Sequence, residues 1–389
     1  MPHSLGSGPN AAEDRRGSDV QKRLVAVQRS LIDELEEAVA QRNVGSRADI
    51  LRRVTDLFVV GSDHFDAEQR ALFDDVMCRL VNEIENSARA AFGERLATIG
   101  NAPPKISCLL ALDDSIAVAG PLLTHSDQLN DDTLITGAKN KSQDHLFAIS
   151  RRKVISEGVT DVLVERGDQR VVVSTAANSG AQFSQFGYST LVARAETNDE
   201  LALTVWSRPG IPREYLLAMF ARSSEVVRLS LESADRRKAG LIRDMVKQAS
   251  DKIQTQTRNR SLEFAAAQTQ VQALHQAGAL TEDRLREFAE AGRFDETALT
   301  LSLLIDLPIG VIERTLVHDR SDQMLVLAKS IGLSWETTKA ILLVQAGTKN
   351  EPTCDLEQCL VRYNKLKLET ACTAVEFYRL RERAIKTSR

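Results

Sequence analysis

Between Ser107 and Leu231 the chain begins a helix in the same way four times: Leu129-Asn130-Asp131-Asp132, Ile155-Ser156-Glu157, Phe183-Ser184-Gln185 and Ile211-Pro212-Arg213-Glu214. The starts lie 26, 28 and 28 residues apart. Each joins a large apolar residue to Asn, Ser or Pro and then to acidic or amide side chains. That order supplies a hydrophobic staple, an N-cap or N1 proline, and negative charge at the positive end of the helix dipole. A helix start recurring at this period constrains the chain more than any other feature. It calls for a stack of helix pairs in which no pair can bury its apolar face alone.

A second recurrence lies between those starts, where a polar turn opens a short apolar helix at Asp114, Asp144, Asp168, Asp199 and Ser224, at spacings of 30, 24, 31 and 25. Each interval has room for two short helices and two turns, so each unit reads as one α-hairpin. The expected fold is an all-α solenoid of about four helical hairpins over 107–231. Runs such as Val171-Val172-Val173 are expected to be helical despite their β-branched bias, because they sit inside the repeat.

The flanks read differently. Residues 1–18 mix Gly, Ser, Pro and charge without apolar periodicity and are read as a disordered leader. Over 19–46, Leu24, Val27, Leu31, Leu35 and Ala38 keep the spacing of an amphipathic helix. Residues 47–106 read as an N-terminal helical cap: a short helix ending at Gly61, then one from Ala67 to Phe92 that begins with Phe65 as staple and an Asp66/Gln69 capping box. Residues 232–279 read as a long connecting helix, single or hinged in its polar, solvated middle at Gln254–Arg260, because 232–276 contain no proline and one glycine, Gly240. Leu280-Thr-Glu-Asp283 and Leu333-Ser-Trp-Glu336 repeat the helix-start pattern within a C-terminal helical module, 280–347. A helical tail follows over 348–389.

Four of these segments carry a resemblance. Leu110-Ala-Leu-Asp-Asp114, Val154-Ile-Ser-Glu-Gly-Val-Thr-Asp-Val-Leu-Val164, Leu307-Pro-Ile-Gly-Val-Ile-Glu-Arg314 and Gly332-Leu-Ser-Trp335 resemble an alphaproteobacterial helical-repeat family known as domain of unknown function 2336. The resemblance covers Arg47 to Gly347. It implies HEAT-like hairpins in a bacterial cytoplasm, and it brings no catalytic residues to carry over.

The chemistry that could give the chain an activity is mostly missing from its sequence. Gly137-Ala-Lys139 and Lys141-Ser142 lack the glycines of a phosphate-binding loop. Signature motifs of serine hydrolases, zinc proteases and dinucleotide enzymes do not occur. Cys354, Cys359 and Cys372 fit neither a zinc ribbon nor a finger. The pairs Asp113-Asp114 and Asp131-Asp132 stand at helix starts, where capping accounts for them. No catalytic residue, cofactor or metal is therefore expected. Five scattered cysteines point to reduced thiols, no apolar run reaches the ~18 residues of a spanning helix, and no secretory signal opens the chain, so a cytoplasmic location is expected.

With a net charge of −4, nothing global demands a nucleic-acid or membrane partner. Locally, residues 235–260 hold eight Lys or Arg against three Asp. Arg236, Arg237, Lys238, Arg243 and Lys247 form a candidate basic patch, but no aromatic residues are interleaved for base stacking. The functional expectation is a non-enzymatic scaffold or adaptor in bacterial signalling or regulation. It would bind a protein partner along a groove lined by second-helix residues, with Thr160, Glu165, Tyr188, Arg194 and Tyr215 chosen from helical phase. The alternative is a nucleic-acid-binding regulator using the basic helix 235–260.

Overall fold

A computed structural model describes residues 44–61, 65, 67–234, 236–317, 321–347 and 355–387. The leader expected over 1–18, nearly all of the amphipathic helix expected over 19–46, and Asp66 of the capping box lie outside them. Among the described residues there are twenty-one α-helices and one 3-10 turn. There is no strand among them, only an isolated parallel bridge between Ile155 and Ala181. The chain divides into two compact units, Met1–Lys153 and Val154–Arg389. That division falls inside the stretch read as one set of repeats.

The first unit contains α1 (Val44–Gly61), α2 (Ala67–Val81), α3 (Asn86–Leu96), α4 (Pro104–Ala111), α5 (Ile116–His125), α6 (Asp131–Asn140) and α7 (Gln143–Ser150). Phe58, Phe65 and Phe73, with ring centroids 4.9 to 6.0 Å apart, hold α1 against α2. The single helix expected from Ala67 to Phe92 is two. The chain turns after Val81, where the Asn82 amide donates to the Cys78 carbonyl at 3.0 Å, and Ile84 is buried in the corner. Buried Asp74 accepts the main-chain N–H groups of Lys105 and Ile106, each at 2.8 Å, so a carboxylate sits on the positive end of α4. Helices α3, α5 and α7 pack side by side in one layer, and α2, α4 and α6 in the other. A Cβ at Gly93 would lie 2.7 Å from the Val118 carbonyl oxygen, so the close crossing of α3 and α5 requires glycine.

The second unit opens with α8 (Glu157–Arg166), α9 (Gln169–Ala177), α10 (Gln185–Ala195), α11 (Asp199–Ser207) and α12 (Arg213–Ala234). Second helices pack on second helices, α8 on α10 and α10 on α12, while α9 packs on α11. All four helix starts found in the sequence are real. Asn130, Ser156 and Ser184 are N-caps, and Arg213 opens α12. In the interleaved set Asp168 caps α9 as expected, whereas the caps elsewhere are Ser115, one residue after Asp114, and Ser142 and Asn198, two and one residues before Asp144 and Asp199. Ser224 starts nothing. No glycine or proline interrupts the ladder between Arg213 and Ala234, so α12 runs straight through it.

Residues 232–279 are not a single helix; they take the hinged form, with the break just past the stretch named for it. Arg236–Lys238 make a 3-10 turn, after which α13 (Ala239–Arg260) folds back along α12. The break falls at Ser261, whose hydroxyl accepts the Phe264 N–H at 3.0 Å and caps α14 (Leu262–Gln276). The polar stretch before it is largely exposed, as expected of a solvated middle, except that Gln254 is buried. The module beyond comprises α15 (Glu282–Glu290), α16 (Phe294–Ile305), α17 (Ile309–Val317), α18 (Ser321–Ser330) and α19 (Trp335–Gly347), with Thr281 capping α15. The tail is a pair, α20 (Leu356–Lys365) and α21 (Leu368–Thr387). Cys359 is disulfide-bonded, contrary to the expectation of reduced thiols throughout, while Cys78, Cys108 and Cys372 are free.

Candidate partner-binding groove

On the outer side of the α3–α5–α7 layer runs an open groove of about 650 Å³. Its bed is made by Ala97, Ile116, Gly120, Pro121, Phe147 and Ala148, and its edges by Glu94, Thr98, Thr124, His125, Asp144 and Arg151. The groove exists because three neighbouring helices place small residues where they face it. A Cβ at Gly120 would touch nothing but the Ile116 side chain, at 3.4 Å. Pro121 stands inside α5, where it removes the N–H that would bond the Ala117 carbonyl. Thr124 donates to the Gly120 carbonyl at 2.8 Å and lies 3.3 Å from the Ala148 carbonyl, tying α5 to α7. Charge is graded along α7. Asp144 stands in its first turn, and Arg151 follows its last residue, with the guanidinium 5.9 Å from the Phe147 ring centre. Along α7 a bound segment would meet the Asp144 carboxylate, an apolar floor, and then the Arg151 guanidinium.

The second-helix residues expected to line a groove sit mostly in seams. Thr160 is fully buried, and its hydroxyl donates to the Gln182 carbonyl at 2.6 Å. Tyr215 is buried, stacks on Tyr188 at 5.2 Å, and donates to the Gln185 carbonyl at 3.1 Å. Arg194 donates to the Val164 carbonyl at 2.8 Å. Glu165 alone of the five is exposed. Thr160 and Tyr215 therefore cannot line a free surface. Helical phase located the side of each helix that meets a neighbour, and it could not tell a neighbouring helix from a partner. The groove residues had one sequence signal: Gly120-Pro121 reads as a break, yet the apolar periodicity continues across it.

The arginines also join helices in a way the sequence does not announce. Arg152 donates to the carbonyls of Leu123 (2.7 Å) and Ser126 (2.8 Å), closing the C-terminal end of α5. Arg208 does the same for α9, through Ala176 (2.8 Å) and Asn178 (2.7 Å), with its guanidinium 4.6 Å from the Phe183 ring centre.

In the second unit a buried charge cluster ties α12 and α13 to α16 and α17. Arg213 donates to Glu313 at 2.8 Å and pairs with Asp295, and Arg258 donates to the other oxygen of Glu313 at 2.5 Å. Arg314 reaches Asp251 at 2.5 Å. The Arg213 guanidinium lies 4.8 Å from the Phe264 ring centre. Beside it, burial pushes the Glu214 carboxyl up to about 7. These pairs remove Arg258 from the basic stretch read over 235–260, and Arg243 is paired with Glu232 at 3.2 Å. Arg236, Arg237 and Lys238 remain exposed at the turn, and Lys247 is half-buried. Among the described residues no group of three or more His, Cys, Asp or Glu is placed to hold a metal ion. None of their helices is long and apolar enough to cross a membrane.

Compared with known protein families, residues 118–376 match one described as an uncharacterised protein conserved in bacteria, DUF2336. No curated protein and no solved structure matches the chain.

Proposed function

Because the chain belongs to the bacterial family DUF2336, we propose that it is a non-enzymatic scaffold of HEAT-like helical hairpins that binds a protein partner, in a regulatory or signalling role in the bacterial cytoplasm. The observation that carries this reading is the groove on the α3–α5–α7 layer, with its apolar bed, open length and carboxylate-to-cation gradient. Such a surface fits one face of a helical or extended peptide segment, with apolar anchors between a basic and an acidic residue. The rival reading, a nucleic-acid binder using residues 235–260, loses force because Arg258 and Arg243 are engaged with carboxylates of the same chain.

The test is affinity capture from bacterial lysate with the full chain and with Gly120→Phe. The substitution fills the groove at a half-buried position where an added Cβ meets only the Ile116 side chain, and it removes a mid-helix glycine, so the fold should be kept. A protein retained by the parent and lost by Gly120→Phe at unchanged melting temperature supports the proposal. A protein retained equally by both places binding elsewhere. Nucleic-acid affinity that falls steeply with salt, and is abolished by reversing Arg236, Arg237, Lys238, Arg243 and Lys247 to Glu, would establish the rival.

A further inference from the structure

In the distal half of the α12–α13 hairpin the charged side chains are paired with one another: Arg228 donates to Glu232 at 2.9 Å and pairs with Glu225, and Glu232 also takes Arg243 of α13. Several large apolar side chains there face solvent. Val226, Val227, Leu229 and Leu231 of α12, with Leu241 and Met245 of α13, are each 47–67% exposed. Val226/Leu229 and Val227/Leu231 are spaced three and four apart, and Leu241/Met245 four apart, so each pair forms a ridge along its helix. Isolated exposed apolar residues need no explanation, but six on one hairpin do.

We propose that this hairpin is a dimerisation element whose occupant is a second copy of the same chain. The area fits. The six side chains expose on the order of 500–600 Å², so a two-fold copy would cover about 1,000–1,200 Å², the size at which specific interfaces begin. Helices of 22 residues, about 33 Å long, give two hairpins the length to lie along one another as a four-helix arrangement. The exposed basic turn, Arg236–Lys238, sets the copies antiparallel about the two-fold, since parallel pairing would bring two such turns together. A membrane surface is a poorer occupant, because Asp244 is exposed beside Leu241 and Met245 and would meet anionic headgroups.

Sedimentation velocity on the full chain tests this, comparing the parent with Leu229→Glu/Met245→Glu. The parent should sediment as a dimer at micromolar concentration, and the double variant should show half that mass with an unchanged circular dichroism spectrum. Should the double variant fold poorly, Leu241→Lys alone should weaken the dimer at least tenfold. A parent that stays monomeric at tens of micromolar, or a dimer that survives these substitutions, overturns the proposal. So does a monomeric parent that binds phosphatidylglycerol vesicles through the same six residues. Gly120→Phe must leave the dimer mass unchanged, which keeps this test independent of the groove.

Discussion

Glu214 follows Arg213 into the first turn of α12, where burial is the main force raising its carboxyl to about 7. Asp295 and Glu263 add repulsion, while its own backbone N–H and Arg213 oppose the rise. The folded chain therefore keeps a proton on Glu214 that the unfolded chain releases near 4.5. Its contribution to stability is complete below that value and is lost as pH rises through about 7. Glu214→Gln should match the parent in stability near pH 4 and exceed it near pH 8, by on the order of 2–3 kcal/mol, with the melting temperature following. Equal melting at both values would mean an ordinary carboxylate. Ile155 and Phe183 are buried staples of neighbouring hairpins, so Asp at either should cost several kcal/mol and lower the melting temperature clearly. The caps were legible because capping is local chemistry, written within three residues. The Arg213–Glu313 pair was not, because its partners stand 100 residues apart and the sequence carries no sign that they meet.

At the scale of elements, starts were easier to find than ends. Asn130, Ser156, Ser184 and Thr281 each announce a helix. The corner after Val81 has no such mark, because Asn82, Glu83 and Glu85 suit an exposed helical face equally well. The break at Ser261 fell one residue beyond the stretch singled out as polar, which turned out to be the part of α13 that grips α17. Ser261→Ala removes the cap of α14 and should cost about 1 kcal/mol in urea denaturation. Gly93→Ala offers a sharper contrast. On an exposed helix this change stabilises by up to ~1 kcal/mol, but here the added Cβ meets the Val118 carbonyl oxygen. A net loss of about 1–3 kcal/mol is expected, and a gain would show that α3 and α5 can move apart freely.

For the whole molecule, circular dichroism should report helix with strand content below about a tenth of residues. The fold class was legible because the period of helix starts leaves no room for strands. The division at Lys153/Val154 was not, because the helix-start pattern continues across it unchanged. Arg152 ends on the carbonyls of Leu123 and Ser126, Arg208 on those of Ala176 and Asn178, Arg194 on Val164, Thr160 on Gln182 and Tyr215 on Gln185. Each of these joints grips the main chain of its neighbour, which every residue possesses, rather than a particular side chain. A block duplicated with its own arginine or tyrosine would carry its fastening with it, and the block it fastens to could be rewritten almost freely. Descent by such copying erases residue identities while leaving the rhythm of helix starts, and it is the rhythm that this chain still displays.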